Sequence, residues 1–206
     1  MTGRVAVETM RVLNVGGNSK AIPIPPHYAG WEHLLLDIDP RGNPDVVADA
    51  RDLAALPAAQ FDAVYCSHNL EHYYVHEGRR VLQGFVHVLK DDGFAEIRVP
   101  DLQAVMKHLV ESGMDIQDVL YTAPAGPITA RDVLYGWSVE IERSGKDFFA
   151  HKTGFTPKSL YGKLREAGFA SIVVGSVATF ELVAFAFKRT PRPELLSLLG
   201  LPPDVR

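Results

Sequence analysis

The sequence contains a single cysteine, Cys66, among its 206 residues. One cysteine cannot form an internal disulfide or a cysteine-based zinc cluster, so the composition fits a reducing compartment and we expect a cytoplasmic protein. No apolar run approaches the roughly 18 residues of a membrane span, and the first ten residues lack the apolar core of a signal peptide. The sequence therefore predicts neither a membrane span nor a secretory leader.

An excess of charge of either sign is also missing. Twenty-one Lys and Arg residues face 25 Asp and Glu residues, which gives a net charge of −4. A nucleic-acid-binding surface needs a basic footprint, so we expect no nucleic-acid partner. Apolar residues make up 47% of the chain and charged residues 22%, as in ordinary globular proteins. A chain of this length builds one core, and we predict a single domain over residues 1–206.

Short apolar runs alternate with stretches of helical period over the first two thirds of the chain, which is typical of a parallel sheet with crossover helices. The predicted strands are Arg11–Val15, His33–Asp37, Asp45–Ala48, Phe61–Cys66 and Phe94–Val99. A crossover helix is predicted between Val81 and Leu89, ended by the turn Asp91-Asp92-Gly93, and a second helix between Leu102 and Gly113.

The last third of the chain predicts a capped helix and a hairpin. Thr156-Pro157 starts a helical pattern that Gly168 closes. The runs Ser171–Val177 and Phe180–Lys188 lie too close together for a crossover, so they should pair antiparallel. Residues 114–150 have little period and are predicted to form an insertion, or lid, over the sheet edge. The predicted fold class is α/β: a Rossmann-like, doubly wound, mostly parallel seven-stranded sheet with a C-terminal antiparallel hairpin.

The residues that follow the strands carry the chemistry, because a parallel sheet binds its ligand beyond the carboxyl ends of its strands. Gly16-Gly17 after the first strand allow the backbone to approach a ligand closely. Asp37 after the second strand can accept both hydroxyls of a ribose. Asp49-Ala50 after the third can accept from an exocyclic amine and donate a backbone N–H to a ring nitrogen. Together these ends predict a nucleoside site.

The loop after Gly17 argues against a pyrophosphate on that nucleoside. A dinucleotide needs Gly-x-Gly-x-x-Gly opening onto a helix N-terminus, but positions 18 and 21 are Asn18 and Ala21, and three prolines follow within residues 23–26. An adenosine without phosphates fits better, and S-adenosylmethionine is the common cofactor of that description. A nucleotide-binding oxidoreductase is the weaker alternative.

Six stretches resemble the class I S-adenosylmethionine-dependent methyltransferases, in particular the small type 11 proteins often encoded beside sugar and lipopolysaccharide genes. They are LNVGGN, LLLDIDP, DVVADARDLAAL, FDAVYCSHNLEHY, VLKDDGFAEIRVPDL and HKTGFTPKSLYGKLREAGF, and they occur in the expected order over most of the chain. The resemblance implies S-adenosylmethionine as cofactor and a small-molecule or saccharide-type methyl acceptor.

The resemblance also implies roles for single residues. The implied cofactor site consists of Asn14, Gly16 and Gly17 at the methionine moiety, Asp37 at the ribose with Ile38 beside it, Asp49 and Ala50 at the adenine, and Ser67 facing the cofactor. Asn14 stands where the family often has an acid, and a neutral amide should hold the methionine ammonium less firmly. This departure, with the missing helix after Gly17, keeps open a second hypothesis, a cofactor-binding but catalytically inactive regulatory or binding protein.

A hydroxyl acceptor would require a general base, and the candidates are Glu71, His72 and His151. Glu71-His72 resemble a pair common in the family after the fourth strand, and His151 lies where the resemblance places the substrate side. His68, His72 and His76 would form a metal site if they shared one helix. We expect a loop there instead, and therefore predict no metal.

Three positions have a plain structural alternative. Asp49 could merely cap a turn, and Asp39 before Pro40 is predicted to be a turn residue and not a second ribose ligand. The pair Tyr73-Tyr74 and Trp137 could line an acceptor pocket or pack under the insertion.

Overall fold

The computed structural model describes residues 9–124, 126–203 and 205. Its main sheet contains the strands β1 (Arg11–Val15), β2 (Glu32–Asp37), β3 (Val46–Val47), β4 (Phe61–Ser67), β5 (Leu89–Pro100), β8 (Ser171–Val177) and β9 (Glu181–Phe187). A second, two-stranded sheet pairs β6 (Val119–Ala123) with β7 (Gly126–Thr129). The helices are α1 (Val75–Val88), α2 (Leu102–Ser112), α3 (Ala130–Tyr135), α4 (Ser138–Ser144), α5 (Pro157–Ala167) and α6 (Pro193–Leu198).

The main sheet has the strand order β3-β2-β1-β4-β5-β9-β8. Strands β1 to β5 pair in parallel, and β9 runs antiparallel to both β5 and β8. The predicted fold class is therefore confirmed, including the C-terminal hairpin. Because β1, β2, β3 and β4 are parallel, their carboxyl ends lie along one edge of the sheet, which is where the predicted ligand residues follow them.

Both faces of the sheet are covered, which explains why the central strands are apolar along their whole length. One core cluster packs α1 and α5 against the sheet and includes Leu82, Phe85 and Leu164. The opposite cluster is aromatic and centres on Tyr28 and Phe94. Burial of such side chains at about 25 cal/mol per Å² of apolar surface holds the strands in place and fixes the positions of their ends.

Local sequence signals at the helix ends act as expected. Thr156 caps α5 by accepting the N–H of Ser159 at 3.2 Å, and Gly168 ends the helix in a left-handed conformation. Among the described residues between β1 and β2, the only helical segment is the single 3-10 turn Pro26–Tyr28. The prolines of this connection therefore do exclude a crossover helix.

Two regions differ from the sequence prediction. Strand β5 begins at Leu89, so the segment Asp91-Asp92-Gly93, predicted to be the turn that ends the helix, lies inside the strand. Helix α1 ends one residue earlier, at Val88, and Leu89 pairs directly with Phe61. The insertion is more regular than its glycines and prolines indicated, since it contains β6, β7, α3 and α4. No helix in the described part of the chain is long and apolar enough to cross a membrane.

Candidate active site

A cavity of about 690 Å³ opens at the carboxyl ends of β1, β2 and β4. Seven of the predicted cofactor residues line it: Asn14, Gly16, Gly17, Asp37, Ile38, Asp49 and Ser67. The eighth, Ala50, is buried and does not contribute to the cavity wall. The fold thus brings together side chains that the sequence places up to 53 positions apart, Asn14 and Ser67 being the extremes. We call this space the cofactor cavity.

The two glycines of the cofactor cavity are required by neighbouring asparagine side chains. Gly16 has a φ of +73° and donates its N–H to the Leu36 carbonyl at 2.8 Å. A Cβ on Gly16 would lie 2.1 Å from Asn69 Nδ2, and one on Gly17 would lie 2.3 Å from Asn14 Nδ2. Asn69 is a site residue that the sequence analysis missed, and its position directly after β4 is the only signal that indicates it.

Asp37 is held in a fixed orientation at the end of β2. Its side chain is nearly buried, with 8% of the residue exposed. Oδ2 accepts the N–H of Asn18 at 2.9 Å, and Oδ1 accepts the N–H of Asp39 at 2.8 Å. Each carboxylate oxygen has two lone pairs, so one remains on each oxygen for a further donor. Two adjacent hydroxyls match that pair of acceptors.

Asp39 behaves as the predicted turn residue. Its carboxylate accepts the backbone N–H of Arg41 at 3.0 Å and pairs with the Arg41 guanidinium at 2.5 Å. Hydrogen bonds from the side chain and backbone of Arg41 lower the pKa of Asp39 to about 2. Asp39 lines the cofactor cavity, but its acceptor capacity is largely used within its own turn.

Asp49 caps a turn and also lines the cofactor cavity, the two roles that the sequence left open for it. It caps the 3-10 segment Ala50–Ala55 by accepting the N–H of Arg51 at 2.9 Å, and it accepts from the Arg51 side chain at 2.6 Å. Arg51 in turn pairs with Glu77 of α1. All three side chains line the cofactor cavity, so the carboxylate predicted to meet the adenine carries an ion pair.

Asn14 supplies an unsatisfied acceptor at the methionine end of the predicted site. The residue is buried, and its Nδ2 lies 3.3 Å from His33 Nε2. Asn14 Oδ1 has no hydrogen-bond partner among the described residues. A buried carbonyl oxygen without a donor costs about 1–3 kcal/mol, so a cationic donor is a fitting ligand. Together with Asp37 and the glycine turn, this acceptor fits an S-adenosylmethionine.

A second cavity of about 410 Å³ lies beside the first, and we call it the acceptor cavity. His68, His72 and Phe149 line both cavities and form the junction between them. The insertion supplies much of the wall through β6, β7, α3, Trp137 and Phe149. The apolar and aromatic side chains in the wall are Pro100, Tyr121, Ala123, Ile128, Val133, Trp137, Phe149 and Phe180. Trp137 therefore lines this cavity, whereas Tyr73 and Tyr74 line the cofactor cavity.

The two residues that follow His151 are joined to Glu71 by backbone hydrogen bonds, although 80 positions separate Glu71 from His151. The N–H groups of Lys152 and Thr153 both donate to the Glu71 carbonyl, at 2.9 and 3.2 Å. This places His151 Nε2 at 3.9 Å from Glu71 Oε1. His151 Nδ1 lies 2.9 Å from the Val133 carbonyl, so the neutral ring carries its proton on Nδ1 and its lone pair on Nε2.

Burial of His151 favours its neutral form. Burial lowers the pKa of His151, and this effect outweighs the attraction of the nearby Glu71 carboxylate. Burial alone would raise the pKa of Glu71, which is only 1% exposed, but the contact with His68 lowers it overall. The site therefore holds an ionised carboxylate beside a neutral imidazole whose free nitrogen is Nε2.

His68 links Glu71 to a second carboxylate from the hairpin. Its Nδ1 lies 3.4 Å from Glu71 Oε1, and its Nε2 lies 2.9 Å from Glu181 Oε1. Loss of water disfavours the imidazolium, but the two carboxylates raise the pKa of His68 well above its ordinary value. Because the His68 side chain is half exposed, solvent screens its attraction to these carboxylates. Glu181 also accepts from Arg98 at 3.2 Å.

Both ring nitrogens of His72 lie near backbone carbonyls, and a neutral ring can donate to only one of them. Nδ1 lies 3.1 Å from the Ala150 carbonyl and Nε2 lies 3.1 Å from the His68 carbonyl. His76 is exposed on α1, so His68, His72 and His76 do not share a helix face. Ligand atoms of Glu71, His72 and His151 approach within 4.8 Å of one another, so the absence of a metal stays a prediction. Metal sites of this kind use at least three protein ligands.

Comparisons with known proteins agree with this geometry. Residues 31–97 match the family described as a methyltransferase domain. A methyltransferase from Archaeoglobus fulgidus described as S-adenosylmethionine-dependent is 16% identical and superposes with a TM-score of 0.54, covering 87% of this chain and 86% of its own. The 1,6-didemethyltoxoflavin-N1-methyltransferase of Burkholderia thailandensis, solved with its substrate and S-adenosylhomocysteine, is 18% identical with a TM-score of 0.52, covering 86% and 70%. No curated protein sequence matched the chain.

Proposed function

We propose that this chain, a class I S-adenosylmethionine-dependent methyltransferase by its fold and its family match, transfers a methyl group to a small molecule. The cofactor occupies the cofactor cavity, and the methyl acceptor occupies the acceptor cavity. The observation that carries this proposal is the junction formed by His68, His72 and Phe149, which line both spaces. A methyl group leaving the first cavity in the direction of the junction reaches the second.

The residues of the cofactor cavity support one orientation of the bound cofactor. Asp37 would hold the ribose through its two remaining lone pairs. The cavity wall at Asp49 would lie at the adenine, with the Asp49 carboxylate itself engaged by Arg51. The turn Gly16-Gly17 and the unsatisfied oxygen of Asn14 receive the methionine portion. Arg51 compensates the charge of Asp49 and fixes the wall on the adenine side.

The protein contributes to catalysis mainly by positioning the methyl donor and the acceptor. When bound, S-adenosylmethionine supplies a methyl group already activated by the sulfonium charge, and an in-line arrangement with the acceptor contributes about 7–11 kcal/mol of the barrier reduction. The cofactor would supply its methyl carbon to the acceptor heteroatom and would leave as S-adenosylhomocysteine. His151 accepts at Nε2 the proton that the acceptor releases, and Glu71, 3.9 Å away, stabilises the imidazolium that results.

The size and charge of the site support a small acceptor. A volume of about 410 Å³, partly enclosed by the insertion, falls in the range of small-molecule sites. The net charge of −4 does not favour a nucleic-acid acceptor. Saccharides are among the small acceptors that the resemblance implies.

The test begins with calorimetric titration of the full chain with S-adenosylmethionine and S-adenosylhomocysteine. A product assay with labelled methyl donor and a library of small phenols, amines and sugars follows. We expect binding of both cofactor forms and turnover of at least one acceptor. Binding without turnover of any acceptor would favour the inactive regulatory protein, and NADH binding in place of S-adenosylhomocysteine would favour an oxidoreductase.

A matched pair of histidine variants tests the base. We expect His151→Gln to lower the turnover of a hydroxyl acceptor by about 10²–10⁴-fold while the affinity for S-adenosylhomocysteine stays unchanged. His76→Gln changes an exposed histidine on α1 and should have no effect. Equal rates for His151→Gln and the unmodified chain would show that His151 is not the base.

A further inference from the structure

The Glu71 carboxylate lines the acceptor cavity and is buried without a hydrogen bond. The residue is 1% exposed, and neither Oε1 nor Oε2 has a hydrogen-bond partner in the part of the chain that the structure describes. His68 Nδ1 lies 3.4 Å from Oε1 as an ion pair. Burial alone would raise the pKa of Glu71, but His68 lowers it overall, so the carboxylate is ionised. A buried charge without hydrogen bonds is costly, so both oxygens are open to donors of a bound molecule.

The wall of the acceptor cavity carries more negative than positive charge. Its carboxylates are those of Glu71, Asp132 and Glu181, and no lysine or arginine is among its described residues. Asp132 accepts four hydrogen bonds, all from neutral hydroxyl or backbone groups, which leave its charge uncompensated. His68 is shared by the other two carboxylates, and Arg98, outside the wall, divides its charge between Glu181 and Glu96. This excess of negative charge favours a cationic guest.

A single nitrogen atom can bridge Glu71 and His151. Glu71 Oε1 lies 3.9 Å from His151 Nε2, and two hydrogen bonds of about 2.9 Å can span up to about 5.8 Å. An ammonium group has the two donors that this bridge needs, one for the carboxylate and one for the imidazole lone pair. A hydroxyl group has one donor and can serve only one of them. The rings of His151 and His72 are 5.0 Å apart, and His72 belongs to the junction, so the bridging nitrogen would lie near the cofactor cavity.

We propose that the methyl acceptor is a primary or secondary amine, bound as its ammonium ion between Glu71 and His151, and that its nitrogen is the atom methylated. This inference rests on the proposed function for the role of the cavity. It assigns the reacting group and leaves the shape of the remaining molecule open, because Glu181 and the Thr179 hydroxyl can bind further polar groups. An amino sugar is therefore as compatible with the site as an aromatic or aliphatic amine.

Glu71 and His151 have different tasks in this reaction. The ammonium ion gives one proton to His151 Nε2, and the nitrogen lone pair that this exposes forms the new bond to the methyl carbon. The electron pair of the broken carbon–sulfur bond stays on the sulfur of S-adenosylhomocysteine. The methylated product is again an ammonium ion, so Glu71 faces one positive charge before and after the transfer. The proton on His151 passes to water as the product leaves.

Three pairs of small molecules test this inference by calorimetry on the full chain with saturating S-adenosylhomocysteine. Within each pair an amino group replaces a hydroxyl: cyclohexylmethylamine and cyclohexylmethanol, benzylamine and benzyl alcohol, and glucosamine and glucose. We expect at least one amine to bind, and each amine that binds to do so about tenfold or more tightly than its alcohol, because its donor is charged. Alcohols that bind as tightly as their amines, or three amines without measurable binding, would overturn the inference.

A variant of Glu71 tests the source of the preference. Glu71→Gln keeps the shape of the side chain but removes its charge, so the amine should lose about tenfold or more in affinity while the alcohol changes by less than about threefold. Glu166→Gln, on the exposed side of α5 and outside both cavities, is the matched control and should change neither affinity. Unchanged S-adenosylhomocysteine affinity shows that a variant is folded. An amine preference that survives in folded Glu71→Gln would contradict the inference, and if this variant does not fold, the three pairs on the unmodified chain still decide.

A product assay tests whether the bound nitrogen is the atom that reacts. With a labelled methyl donor, the amine that binds should give a product that carries the label on nitrogen. Methylation of the alcohol of a pair, with its amine bound but unchanged, would contradict the inference.

A metal ion is the competing occupant of the same place. Titration of the full chain with MgCl₂, MnCl₂ and ZnCl₂ should reveal no ion whose binding depends on Glu71. An ion that binds the unmodified chain but not Glu71→Gln would overturn the inference, since it would occupy the position assigned to the ammonium group. Failure of the unmodified chain to bind S-adenosylhomocysteine would refute the proposed function, whereas a chain that binds it without any amine preference refutes this inference alone.

Discussion

Removal of the Asp37 carboxylate tests the cofactor site in a single step. The side chain is 8% exposed, and each of its oxygens already accepts one backbone N–H, from Asn18 and from Asp39. The remaining lone pair on each oxygen is the proposed acceptor for one ribose hydroxyl. Asp37→Ala removes both acceptors, while Asp37→Asn keeps the shape and one of the two oxygens.

The expected loss follows from the energy of hydrogen bonds to a charged acceptor. Such bonds contribute about 1.5–3 kcal/mol each, partly offset by water entering the vacated space. We expect Asp37→Ala to weaken S-adenosylhomocysteine binding by about 1–3 kcal/mol, or roughly 5- to 150-fold, and Asp37→Asn to fall between Ala and the unmodified chain.

The assay is calorimetric titration at a temperature well below the unfolding transition, because Asp37→Ala also leaves two backbone N–H groups without their acceptor. Asp39→Asn is the matched control, since that carboxylate belongs to the Arg41 turn, and its affinity should stay within about twofold of the unmodified chain. If Asp37→Ala binds S-adenosylhomocysteine as tightly as the unmodified chain, the assignment of the ribose position is refuted.

Further predictions address the glycine turn and two histidines. Gly17→Ala places a Cβ 2.3 Å from Asn14 Nδ2 and should lower the free energy of unfolding by about 1–3 kcal/mol. Denaturant titration should show that the double variant with Asn14→Ala loses less free energy of unfolding than the two single variants together. Because burial lowers the pKa of His151 and the neutral ring is the base, kcat/KM should rise with pH through that pKa, below about 6.5, and then level off; a rate that falls over the same interval would oppose this role. The pKa of His68 is higher in the folded than in the unfolded chain, so its contribution to stability is complete below about pH 6.5 and decreases as the pH rises toward its folded pKa. The free energy of unfolding of His68→Gln should therefore decrease less steeply over this pH range than that of the unmodified chain. An identical pH slope would count against the ion pairs of His68.

The sequence could predict the cofactor cavity because its signals are local. Gly16, Asp37 and Asp49 each follow a strand directly, and the parallel pairing of those strands brings them to one edge of the sheet. The prolines after residue 22 likewise act on their own backbone, so the missing crossover helix could be inferred without any tertiary information.

The contacts that decide the chemistry of the acceptor cavity were not predictable in this way. His68 and Glu181 are 113 positions apart, and neither residue carries a local pattern that indicates the other. The hydrogen bonds from residues 152 and 153 to Glu71 depend on how the insertion returns to the sheet. In the insertion, Gly126 and Gly136 take positive φ values at the ends of short elements, which interrupts the periodicity on which the prediction of strands and helices depends.

A crystal structure of the full chain with S-adenosylhomocysteine is the most direct test of the central claim. The account predicts the ribose hydroxyls within hydrogen-bond distance of both Asp37 oxygens and the sulfur facing the junction of His68, His72 and Phe149. A nucleoside bound elsewhere on the chain, or bound here with its sulfur directed away from the acceptor cavity, would contradict it.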